Sequence, residues 1–272
     1  MDEFKDHGVS HSPGGSMPHR VDLNCDLGEG FGPWVPADET SLLDVATSSS
    51  LACGFHAGDP ATMRRTVRLA LERGVAIGAH PSLPDLQGFG RRDMAITPQE
   101  AYELTLYQIG ALHAFVRAAG GRLHHVKPHG ALYNQAARDP KLADGLAQAV
   151  RDFDASLLLF GLSGSELTAA GERAGLTVIH EAFADRAYTP EGGLLPRGQA
   201  GAVIADENVA AARVLEMVQA ARVQAVDGTW IPLRADSVCI HGDHPGALAI
   251  ARRIRESLES RGVLVAAPET GR

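Results

Sequence analysis

The chain has 272 residues, 44% of them hydrophobic and 21% charged, with a formal net charge of −8. That composition is globular, which excludes a disordered chain, and the length is ordinary for an α/β barrel of roughly 250 residues. No Lys/Arg stripe offers a surface for a nucleic-acid backbone, and no apolar run reaches the roughly 18 residues that a membrane-spanning helix needs.

Residues 1–19, MDEFKDHGVSHSPGGSMPH, are polar and rich in Gly, Ser and His, without the apolar stretch of a signal peptide. They are expected to be a disordered tail ahead of one barrel domain over 20–272, and the chain is expected to be cytoplasmic. Beyond the tail, apolar segments alternate with helical ones. Strands are expected at 20–26, 50–56, 75–80, 123–129, 156–161, 177–183 and 237–242. Helices are expected at 36–46, 60–73, 98–119, 140–151, 165–174, 207–223 and 246–261. Strict alternation argues a parallel sheet, because parallel neighbours need a crossover helix. Asp59-Pro60, Thr97-Pro98 and Asp139-Pro140 each put a capping side chain before a proline at the first helical position. Gly74, Gly120 and Gly175 stand where helices end. About seven βα units result, with Val263-Leu264-Val265 a weak candidate for a last strand. Long loops at 81–96 and 185–205 interrupt the rhythm, and such loops on an α/β barrel usually carry function. The Asp227-Gly228 pair suggests a two-residue hairpin turn near 225–233.

Side chains alternate along a strand, so Val21, Leu23, Cys25 and Leu27 share one face, while Asp22, Asn24 and Asp26 share the other. The helix-facing side of a barrel must be apolar, which turns the carboxylates and the amide inward. By the same test His125, Lys127 and His129 share a face in the fourth strand, and His241 and Asp243 do so in the seventh. His56 and His80 close the second and third strands, and Asp185-Arg186 follow the sixth. A single histidine at a strand end is more often a satisfied core residue. A recurrent ring of such groups is too costly to bury without a role.

Chemically, Lys127 beside His129 can polarise a carbonyl or hold a phosphoryl group. Asp26, Glu29 or Asp59 can activate water as a general base. Arg91, Arg92, Arg186 and Arg197 on the long loops can clamp a carboxylate or phosphate, or can be solvated surface charges. Metal binding is left open: His56, His80, Asp22, Asp26, His241 and Asp243 are ligand types, but no compact HxxxH or HExxH spacing appears. No Walker A loop, dinucleotide fingerprint or serine-hydrolase elbow is present. Cys25, Cys53 and Cys239, without a CxxC, read as small buried thiols of a reducing compartment.

The segments DLNCDLGEGFG (22–32), ACGFHAGDP (52–60), GAHPSLPDLQGFGRR (78–92), KPHGALYN (127–134), FADRAYTPEGGLLPR (183–197) and CIHGDHPGA (239–247) resemble, in order, the motifs of the LamB/YcsF family. The resemblance implies a seven-stranded parallel β/α barrel of the kind shared with sugar deacetylases. It implies opening of the lactam ring of 5-oxo-L-proline to L-glutamate, coupled to ATP hydrolysis, together with partner subunits B and C. Whether ATP contacts this chain or its partners does not follow from the resemblance. On this reading Asp26, Glu29, His56, Lys127, His129 and His241 are the candidate catalytic residues. Asn24, Asp59, His80, Arg91, Arg92, Asp185, Arg186, Arg197 and Asp243 are the candidate substrate contacts. Two alternatives stand beside it: a stand-alone metal-dependent amide or sugar deacetylase, and a non-catalytic subunit that holds oxoproline for its partners.

Overall fold

The computed structural model describes residues 19–32, 34, 40–240 and 246–270. The tail expected over 1–19 lies outside them except for His19, whose carbonyl accepts from Leu264 N–H, and His241, Asp243 and the first part of the helix expected at 36–46 lie outside them too. Among the described residues seven parallel strands close into a barrel, in the order β1 (Arg20–Leu27), β2 (Ser48–Ala52), β3 (Ala76–His80), β4 (Leu123–Val126), β5 (Leu158–Leu162), β6 (Val178–Phe183) and β9 (Ser237–Ile240). Closure is the pairing of β9 with β1, in register from Asp22↔Ser237 to Cys25↔Ile240. The candidate last strand exists as β10 (Leu264–Val265), but it pairs only with Arg20 and Val21 at the start of β1 and is not an eighth stave. β7 (Arg222–Gln224) and β8 (Trp230–Pro232) form the hairpin. Its turn is wider than two residues: Ala225 N–H bonds to Thr229 O, with Gly228 at φ 89°. The strand β7 also ends the preceding helix early, at Gln219 instead of 223.

Helices α1 (Pro60–Glu72), α2 (Pro98–Ala118), α4 (Pro140–Phe153), α5 (Glu166–Arg173), α6 (Glu207–Gln219) and α7 (Ala247–Ser260) are the crossovers and outer layer. Asp59, Thr97 and Asp139 cap α1, α2 and α4 through their side chains, and Thr97 completes a capping box with Glu100. Gly74, Gly120 and Gly175 have φ of 67°, 79° and 74°. Between β1 and β2 a four-residue 3-10 turn, Ser41–Asp44, stands within the stretch expected to be helical. The short α3 (Gly130–Ala136) arises inside the fourth βα connection and had no counterpart in the sequence reading. β4 stops before Lys127 because Pro128 has no N–H to donate. Even so, Lys127 N–H and His129 N–H still bond to Ala79 O and Pro81 O, so the extended path continues toward the mouth. No helix among the described residues is long and apolar enough to cross a membrane.

The helix-facing sides of the strands are apolar and buried, and the inward sides carry the polar groups. At the closed end Asp22 accepts hydrogen bonds from Thr47, Ser48 and Ser237 at 2.5, 2.7 and 2.5 Å. Higher up, His125 lies on the Phe160 ring with 4.3 Å between centroids, over Gly78, where a Cβ would collide with the imidazole. A chain of bonds fixes its tautomer. His124 Nε2–H donates to Pro268 O (2.9 Å), so His124 Nδ1 accepts from His125 Nδ1–H (3.0 Å). His125 Nε2 is then left to accept from Ser50 (3.2 Å).

That arrangement needs a neutral ring, and burial, followed by the neighbouring His124, Lys127 and His80, pulls the His125 pKa well below its ordinary 6.5. Below pH 6.5 the unfolded chain takes up a proton that the fold refuses. Stability is therefore intact at pH 7 and falls with acidity by about 1.4 kcal/mol per pH unit while His125 stays neutral. Asp22 acts in the opposite sense: burial raises its pKa above 3.8, so the fold holds a proton that the unfolded chain loses. Urea unfolding at pH 7.0 and 5.5 should show the acid loss, and His125→Gln should reduce its slope by about one proton. An unchanged slope would refute the neutral-histidine account.

Candidate functional site

The strands' C-terminal ends and the loops beyond them enclose a cavity of about 360 Å³. Lys127 stands at its floor, almost fully buried. Its Nζ lies 2.7 Å from Asp26 Oδ1, 3.2 Å from Glu181 Oε1, 2.8 Å from Asn24 Oδ1 and 3.3 Å from Cys239 Sγ. Burial opposes its charge, but Asp26 and Glu181 outweigh burial and hold the ammonium pKa well above 10.5. Glu181 is itself saturated. Besides Lys127 it accepts from Asn24 Nδ2 (2.9 Å) and from the Tyr133 hydroxyl (2.7 Å), whose own pKa burial and Glu181 push up. A buried ion cluster survives only when every partner is satisfied in this way.

Beside it, Glu29, His56, His80 and His129 present one ligand-type atom each, all within 4.8 Å of one another. His80 Nδ1–H donates to Lys127 O (2.7 Å) and His129 Nε2–H donates to Phe89 O (2.9 Å). His56 is fully buried, stacked flat on His129 at 3.8 Å between centroids, with Nε2 3.2 Å from Glu29 Oε1. Burial, then the neighbouring His80, pulls the His56 pKa well below 6.5, and burial with His56 does the same to His129. Gly90, at φ 64°, lets the β3–α2 loop close over this stack, where a Cβ would crowd His56, His129 and Ser82.

The rim is cationic. Arg91, Arg138, Arg186 and Arg197 line the cavity, and Arg91 also lies over the Phe89 ring. Burial, and next the charge of Arg197, lowers the Arg186 pKa to about 10, so it remains protonated at neutral pH. Its terminal nitrogen donates to Leu195 O, while its buried Nε–H has no partner among the described residues. Such a rim attracts a carboxylate or phosphate.

The fold therefore brings Asp26, Glu29, His80, Arg91, Lys127, His129, Arg186 and Arg197 to one cavity, with His56 directly behind it. It does not bring Asp59 there: that carboxylate caps α1 and accepts from Thr62, Gly32 and Ala61, which hold its pKa at about 2. Arg92 turns outward to pair with Asp85. Asn24 lies fully buried beneath Lys127, where it positions the amine without reaching the cavity, and Asp185 is buried outside the lining. Three contributors escaped the sequence reading. Glu181 was signalled by an acid in the middle of the apolar strand VIHEAF, Tyr133 only by the undetected α3, and Arg138 by nothing local.

Comparison with known proteins supplies independent findings. The family model described as the LamB/YcsF family matches residues 21–271. A protein of Methylococcus capsulatus, named as the A subunit of 5-oxoprolinase, is 58% identical over 251 residues, covering 92% of this chain and 96% of that protein. One of Brevibacillus brevis with the same name is 57% identical over 247 residues, covering 91% and 97%. The crystal structure of a lactam utilization protein from Thermus thermophilus superposes with a TM-score of 0.86 at 48% identity, over 92% of this chain and 100% of that one. A putative cellobiose-phosphate cleavage protein from Enterococcus faecalis, at 16% identity and a TM-score of 0.53 over 92% of this chain and 97% of that one, shares the fold.

Proposed function

Because this chain belongs to the LamB/YcsF family, we propose that it is the A subunit of a 5-oxoprolinase and houses the hydrolytic half of an ATP-driven lactam opening. The observation that carries this reading is the Asp26–Lys127 pair, 2.7 Å apart at the floor of a cavity with a cationic rim. A five-membered lactam is a stable amide. Phosphorylation of its oxygen by ATP makes the ring carbon electrophilic. Water adds to that carbon while Asp26 takes its proton. The C–N bond then breaks, and the nitrogen receives a proton. A second water cleaves the resulting acyl phosphate to the carboxylate and inorganic phosphate. Across these steps Lys127 balances the negative charge that gathers on oxygen. The rim arginines take the substrate carboxylate and the phosphoryl group.

The naming of the relatives supports a multi-subunit enzyme. The expected partners are subunits B and C, with ATP bound there or at the shared mouth. Purified subunits incubated with labelled oxoproline and ATP, singly and together, test this. Glutamate should form only in the combined sample. Ring opening by this chain alone would remove the partner requirement, and none in any mixture would remove the activity. In the active mixture Arg197→Ala should raise KM for oxoproline about 10-fold or more, the loss of one charged hydrogen bond, with kcat little changed. An unaltered KM would place the substrate carboxylate elsewhere.

A further inference from the structure

We propose that Glu29, His80 and His129 hold one divalent transition-metal ion at the cavity wall, with His56 as their outer support. The tautomers come first. His80 spends its Nδ1–H on Lys127 O, and His129 spends its Nε2–H on Phe89 O. A ring that donates once in this way has, in its neutral form, one bare nitrogen, and these two, His80 Nε2 and His129 Nδ1, face one another at 3.0 Å. Two lone pairs at that distance repel unless a positive centre lies between them. Glu29 Oε1, a third acceptor, sits 3.4 Å from His129 Nδ1 and 3.9 Å from His80 Nε2. The second distance is too long for a hydrogen bond, so a proton shared by the two nitrogens would not draw Glu29 into the group, as a single ion would.

A point equidistant from three atoms with these separations lies about 2.0 Å from each, the length of a bond from a zinc-like ion to imidazole nitrogen or carboxylate oxygen. Two imidazoles and one carboxylate suit zinc, cobalt, iron(II) or manganese, and they leave positions open. All three residues line the cavity, so those positions face its contents. His56 is excluded from the trio by its orientation. Its ring lies parallel to His129 (6° between planes), and two stacked rings do not aim in-plane lone pairs at one point. Its Nε2 meets Glu29 Oε1 at 3.2 Å, the kind of outer contact that orients a ligating carboxylate. The backbone carbonyls of Lys127 and Phe89 serve the two histidines in the same way.

This inference does not rest on the ring-opening reading, and its test uses neither oxoproline nor ATP. The full chain, stripped by chelator dialysis, is titrated with Co²⁺ alone and followed by calorimetry and visible absorption. We expect one ion per chain, with the intense bands of a low-coordinate nitrogen/oxygen site. Glu29→Gln, which keeps the shape, and His80→Ala should each weaken binding about 100-fold or more, and His56→Ala about 10-fold. His113→Ala, on the outer helix α2, should leave it unchanged. Zn²⁺ should raise the melting temperature of the parent chain and not that of Glu29→Gln, which guards against a variant that merely misfolds. Failure to bind one ion tightly, or binding that survives both Glu29→Gln and His80→Ala, would overturn the assignment.

Discussion

Replacing Lys127 with methionine is expected to cost about 3–5 kcal/mol of stability and about 10²–10³-fold in turnover. Methionine fills the volume of the lysine stem, so the loss is one of charge. Asp26 Oδ1, Glu181 Oε1 and Asn24 Oδ1 all face Nζ, at 2.7, 3.2 and 2.8 Å. Without it, two carboxylates would share a nearly dry floor. A buried pair stripped of one partner leaves an uncompensated charge, which is why removal costs far more than the intact pair contributes. Denaturant melts of the variant check the stability. Adding Glu181→Gln should restore part of it by removing one orphaned charge, and a double variant no more stable than Lys127→Met would refute the electrostatic account. Turnover is read in the reconstituted enzyme at saturating oxoproline. A variant retaining parental kcat would show that Lys127 holds the fold and not the reacting oxygen.

Asp26→Asn is the second large effect, and it separates catalysis from mere binding. Asparagine keeps the shape and can still accept from Lys127, but it is a far weaker base. Glu181 continues to compensate the ammonium, so the stability loss should be smaller than for Lys127→Met. If Asp26 takes a proton from the attacking water, kcat should fall about 10²–10⁴-fold while KM for oxoproline changes little. A chain that only held oxoproline for its partners would give the reverse, a raised KM with turnover at saturation unchanged. The carboxylate is placed for the role: Oδ1 is anchored by Lys127, while Oδ2 lies 3.4 Å from His80 Nε2 on the cavity side.

Much of the architecture was legible in the chain because its causes are local. Three capping side chains each followed by proline, glycines at helix ends and strict strand–helix alternation all act within a few residues. The period of two in Val21–Leu27 likewise decided that Asp22, Asn24 and Asp26 point inward, since one face of a barrel strand must meet apolar helices. Failures lay where local signals competed. The stretch before β2 reads as a helix but supports only a 3-10 turn over the described part, and α6 yields its last residues to β7.

What the sequence determined by itself was the fold class and the inward set of polar groups, because both follow from periodicity along one strand. The tertiary structure alone decided which members of that set meet. Closure of β9 onto β1 and the stagger of β6 carry Glu181 across the barrel to Lys127, 54 residues away. The folding of a single loop sends Arg91 into the mouth and Arg92 out to Asp85. Neighbours in sequence can be separated in this way, and distant residues joined, because the register of a closed barrel and the path of a long loop are set by packing over the whole molecule.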